Sequence, residues 1–101
     1  MGDPVEYIRG QLPTEELLTQ LAEECSELSK AALKLRRVYN GDNPTPVHRP
    51  DAYNNLIEEI ADVNLCVEVL GLNTPENLYQ MGKIWESKIH RWEQRLRAKN
   101  E

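Results

Sequence analysis

Two acidic stretches are where this chain offers chemistry: Glu23-Glu24-Cys25-Ser26-Glu27 and Glu58-Glu59-Ile60-Ala61-Asp62. Each lies in an apolar, helix-like context. Each holds an acid pair three residues apart, Glu24/Glu27 and Glu59/Asp62, and residues at that spacing are neighbours on one helix face. Two such faces brought together place four carboxylates around one small volume. Ionised carboxylates do not share a partly buried volume unaided. They are solvated, paired with a base such as Lys30 or Lys34, or held by a cation. An all-carboxylate set suits a hard, oxygen-seeking ion, Mg²⁺ or Mn²⁺. His48 and His90 make no Glu-x-x-His pairing with these acids, which argues against di-iron oxidation chemistry.

Helical phase sorts the six acids. With Leu17 at zero and about 100° per residue, Leu21, Leu28 and Leu35 fall at roughly 40°, 20° and 0°. Glu24 falls inside that stripe at about −20°, Glu27 at its edge near −80°, and Glu23 farther round near −120°. On the next helix, with Leu56 at zero, Val63 and Leu70 lie near −20° and −40° and Glu59 among them at about −60°. Asp62, near −120°, sits between Cys66 and Val69, while Glu58 is on the polar face near 200°. Phase therefore selects Glu24, Glu27, Glu59 and Asp62. Glu24 and Glu59 lie within apolar stripes, where an unpaired charge is costly.

These acids need helices to position them. Thr14 as N-cap, Glu15 and Glu16 in the first turn and Asn40-Gly41 as a stop predict a helix over 14–39. Asp51 as cap and Gly71 as terminator bound a second, to about residue 70. Thr74-Pro75-Glu76 opens a third, to about residue 97. Within residues 1–13, Val5, Tyr7 and Ile8 make a turn of helix that packs on the main body. The stretch 40–50, with three prolines, reads as a loop, either functional or a plain connector. No strand pattern occurs. The expectation is one all-α domain over 1–101, a bundle of three long helices with short terminal pieces.

The third helix carries a stripe of Leu78, Met81, Trp85, Ile89, Trp92 and Leu96, with Lys88, Arg91 and Arg95 along one edge. The tryptophans read as core, with base stacking as the alternative. The basic edge suits a phosphate-bearing ligand or simply complements the helix C-terminus.

Composition narrows the function classes. The chain has 101 residues, a net charge of −5 and 40% hydrophobic residues. An acidic chain is ill suited to nucleic acid, which is bound by neutralising phosphates. No apolar run reaches the ~20 residues of a membrane helix. The start, Met1-Gly2-Asp3-Pro4, has neither a basic nor an apolar signal region, so the expected location is cytoplasmic. Cys25 and Cys66 have no zinc-type spacing and read as reduced core thiols.

In context, Leu21-Ala22-Glu23-Glu24-Cys25-Ser26-Glu27-Leu28 and Ile57-Glu58-Glu59-Ile60-Ala61-Asp62-Val63 resemble the two core segments of the MazG-like, all-α nucleoside triphosphate pyrophosphohydrolases. Lys88-Ile89-His90-Arg91-Trp92 looks like the basic segment of that family's later helix. The resemblance spans roughly residues 15–97. It differs in a longer gap from Glu27 to Glu59 and in Cys66, where some members carry an aromatic residue. It implies Mg²⁺-dependent hydrolysis of an NTP or dNTP to the monophosphate and pyrophosphate. Glu24, Glu27, Glu59 and Asp62 would hold the metal; Lys88, Arg91 and, more weakly, Lys34 would bind phosphate. It also implies a homodimer or homotetramer completing the bundle, which the broad apolar stripes fit. The alternative is a non-catalytic helical assembly or a nucleotide-binding module.

Overall fold

A computed structural model describes residues 2–41 and 48–100 of the chain. It is all-helical: α1 Pro4–Gln11, α2 Thr14–Asn40, α3 Arg49–Val69 and α4 Pro75–Asn100, with no strand among the described residues. The proline-rich interval 42–47 of the expected loop lies outside the described residues. The chain divides into two compact units, Met1–Gly71 and Leu72–Glu101. No helix of the described residues is long and apolar enough to cross a membrane.

The helix starts differ from the sequence reading in informative ways. Pro13, not Thr14, is the N-cap of α2: it is extended, and its carbonyl accepts from Glu16 N and Leu17 N. Its fixed φ presets the entry into the helix. α3 begins two residues before Asp51, with His48 as N-cap and its carbonyl accepting from Asp51 N and Ala52 N. Pro50 lies in the first turn, where its missing N–H costs nothing. The Thr74 cap is as expected: its Oγ1 accepts from Asn77 N at 3.1 Å. α4 runs a few residues past 97, to Asn100. Gly41 and Gly71 close α2 and α3 in the left-handed region, each at φ 74°.

In the first unit α2 packs on α3, and α1 packs on α3. The core is thin: Leu17, Ala31 and Leu35 from α2, Ala52 and Val69 from α3. Leu21 and Leu28 are half-buried, as the stripe requires. Ala31 and Ala52 are each only 2% exposed. They lie two turns along α2 from Glu24 and two turns back along α3 from Glu59. Small side chains there let the two backbones approach, which sets the spacing at the acids.

α1 does more than pack. Arg9 reaches the C-terminus of α3, donating from Nε to Val69 O at 2.8 Å and from Nη2 to Glu68 O at 2.9 Å. Both carbonyls lie in the last turn of α3, at the negative end of the dipole, so a guanidinium suits them; Glu68 O also accepts from Gly71 N at 2.9 Å. Arg9 also packs 3.7 Å from where a Cβ on Gly71 would sit.

Two expectations fail here. Cys25 is exposed and Cys66 half-buried, both free, so neither is a core thiol. Trp85 and Trp92 are 68% and 58% exposed, and α4 buries no residue. Periodicity identifies an apolar face but not what covers it.

Ala31→Leu should force α2 away from α3. The expected loss is about 1–3 kcal/mol in urea unfolding followed by helical circular dichroism. An unchanged midpoint would show that the crossing has room to spare.

Candidate metal centre between α2 and α3

α2 and α3 run antiparallel, so acids near the middle of each meet. Glu24, Glu59 and Asp62 each present a carboxylate oxygen within 4.8 Å of the others, and all three residues are half-buried. The i, i+3 spacing of Glu59 and Asp62 puts both on the face of α3 that meets α2. A cation of the Mg²⁺ type holds its oxygens at about 2.1 Å, so small side-chain rotations close the set.

The hydrogen bonding is incomplete where a ligand would be needed. Glu59 Oε2 is shielded from solvent and has no hydrogen-bond partner among the described residues. Glu24 accepts one hydrogen bond, from Gln20 Nε2 to Oε1 at 2.8 Å, one turn before it on α2. A shielded carboxylate oxygen without a donor, beside two other carboxylates, fits a cation better than it fits a structural network.

Electrostatics agree. Loss of solvent, first, and then the charges of Asp62, Glu24, Glu27 and Glu58 push the Glu59 carboxyl above its ordinary value. Burial, followed by Glu24, Asp62 and Cys25, likewise pushes up the Cys66 thiol. Cys66 is therefore held as a thiol beside the acids, leaving an all-oxygen donor set suited to a hard cation.

Glu27 stands apart from the three. It is exposed and pairs with Lys30, Nζ to Oε1 at 3.4 Å. Its charge nevertheless acts on Glu59. Lys34 is half-buried on α2; Lys88 and Arg91 are exposed on α4.

Sequence reasoning missed Gln20 and the contribution of α1. Gln20 was findable, since a residue four before Glu24 shares its face. The α1 contribution is tertiary: a hollow of about 290 Å³ is lined by Ile8 and Leu12 of this region with Leu17, Leu65 and Val69, and by Gln20, Glu24, Asp62 and Cys66. The carboxylates thus open beside an apolar recess.

Comparison of the chain with protein-family models, with curated proteins and with solved structures gave no match.

The raised pKa of Glu59 fixes the sign of a pH effect. Its stabilising contribution is fully present below the ordinary value of 4.5 and is lost as pH rises through the raised value. Without metal, the wild type should therefore lose stability relative to Glu59→Gln as pH rises through that window, in paired thermal melts. At neutral pH Mg²⁺ at a hundred times its dissociation constant should restore about 2.7 kcal/mol to the wild type and little to the variant. Parallel melting curves at every pH, with or without Mg²⁺, would remove the metal reading.

Proposed function

We propose that this chain is a divalent-cation-dependent nucleoside triphosphate pyrophosphohydrolase. The observation that supports the reading is the meeting of Glu24, Glu59 and Asp62 from two helices, with Glu59 Oε2 left without a donor among the described residues. The resemblance of the two acid motifs to the MazG-like family supplies the reaction class. The substrate is an NTP or dNTP, and the products are the nucleoside monophosphate and pyrophosphate.

In this reading Glu24, Glu59 and Asp62 hold the ion, and Glu27 joins by turning away from Lys30. The pair they form is exposed on both sides and so is weak, which makes the turn inexpensive. Mg²⁺, or Mn²⁺, supplies charge neutralisation on the phosphates and a more acidic water. One carboxylate of the cluster accepts the proton of the attacking water as the bridge between the α and β phosphates breaks. Lys88, Arg91 and Lys34 are the proposed phosphate ligands. The apolar recess beside Glu24 and Asp62 gives the nucleoside somewhere to lie out of water. The active assembly is a homodimer or homotetramer acting in the cytoplasm, and neither nucleic acid nor a membrane is a partner.

The test is release of pyrophosphate from a panel of canonical and modified nucleotides with Mg²⁺. Glu59→Gln should lower turnover about a hundredfold or more, while its helical content is retained. Full activity in that variant would sink the catalytic assignment. Mg²⁺-dependent nucleotide binding without any product would favour a binding module; no Mg²⁺ binding, with Glu24→Leu more stable than wild type, would favour a structural assembly.

A further inference from the structure

The hollow beside the acids is lined by residues of the unit Met1–Gly71 alone, and its volume is about 290 Å³. That is the lower end for a ligand pocket, a size for a base with its phosphates left outside, toward the cation. Most of the wall is apolar, from side chains such as Ile8, Leu17 and Leu65. Four of the lining side chains can make polar contacts: Gln20, Glu24, Asp62 and Cys66. In the function proposed above, the cation takes Glu24 and Asp62. The Cys66 thiol is a weak donor and a weak acceptor. Among the described residues that line the hollow, Gln20 is then the one strong, neutral hydrogen-bonding group.

The amide of Gln20 faces one way only. An ionised carboxylate accepts and does not donate, so the amide atom 2.8 Å from Glu24 Oε1 is the nitrogen. Nε2 is thereby committed to Glu24, and the other prong of the amide, Oε1, receives no hydrogen bond from the described residues. Gln20 is exposed, so this oxygen is open to a ligand that enters. The Glu24 carboxylate has lone pairs enough for both the amide and a cation. One hydrogen bond thus ties a proposed metal ligand to a fixed acceptor beside the hollow.

A fixed acceptor distinguishes bases by what they carry at the ring edge. Cytosine and adenine present an amino group there, which donates. Uracil and hypoxanthine present a keto oxygen at the same position. Two acceptors face to face repel, and the keto base would strip Oε1 of the water that serves it without replacing the bond.

We propose that Gln20 selects the base: the hollow takes a nucleobase whose ring-edge amino group donates to Gln20 Oε1, cytosine or adenine in preference to uracil or hypoxanthine. The inference rests on the nucleotide reading of this site and adds to it the class of base and the residue that reads it.

Calorimetry with Mg²⁺ and α,β-methylene triphosphates, which resist cleavage at that bridge, separates binding from turnover. The cytidine analogue should bind about tenfold tighter than the uridine analogue, and the adenosine analogue than the inosine analogue, as one hydrogen bond allows. Gln20→Met removes the acceptor at similar length. In that variant both ratios should fall to near one, whatever loss of the Glu24 contact does to all four affinities together. Equal affinities within either pair in the wild type, or a preference that survives Gln20→Met, overturn the assignment of Gln20. If none of the four analogues binds, the nucleotide reading falls and this inference falls with it. Binding in the expected ratios, with no pyrophosphate released from the parent triphosphates, removes the catalytic reading and leaves the selection by Gln20 standing.

Discussion

The repulsion among carboxylates that α2 and α3 bring together is the constraint on which the first unit turns. Packing demands that the helices approach, and Ala31 and Ala52 let them do so. That approach draws Glu24, Glu59 and Asp62 to within 4.8 Å, where loss of solvent and then the charges of Asp62 and Glu24 make Glu59 harder to ionise. The local hydrogen bonding relieves only part of this. Gln20 serves Glu24, and Glu27 pairs with Lys30, but Glu59 Oε2 receives nothing from the described residues. A fold selected only for stability would place a leucine or a donor at this position. Local disagreement between packing and charge is what functional sites show.

The recess beside the acids has a physical consequence. Apolar side chains of Ile8, Leu12, Leu17 and Leu65 line the hollow on one side of Glu24 and Asp62. Charges against such a wall are screened less, so attraction for a cation strengthens along with the repulsion that precedes its arrival. α1 closes this side, and Arg9 keeps α1 at the end of α3 through two carbonyls. One exposed arginine outside the site thereby helps define the site's dielectric surroundings.

Much of this was legible in advance because α-helices impose one period. Phase placed Glu24 and Glu59 inward and Glu23 and Glu58 outward, and the structure leaves Glu24 and Glu59 half-buried and Glu23 and Glu58 exposed. Thr74 was readable because the Thr-Pro-Glu sequence satisfies cap, dipole and φ together. Thr14 and Asp51 misled for the opposite reason. Pro13 opens α2 as its N-cap and Pro50 fits the first turn of α3 behind His48, and neither start has a side-chain cap. The role of Arg9 was illegible, because a contact across about sixty residues leaves no local pattern. The exposure of Trp85 and Trp92 was illegible too, since the same stripe serves a core or an interface.

Lys88 and Arg91 share one helix but offer different chemistry to the phosphate proposed for them. An ammonium is a compact charge on a flexible stem, which neutralises an anion without fixing its orientation. A guanidinium is planar and matches phosphate in two-pronged geometry. If α4 binds the substrate as proposed, Arg91 would therefore orient a phosphate while Lys88 would lower its charge, so replacing Arg91 by Lys would keep the charge and lose the orientation.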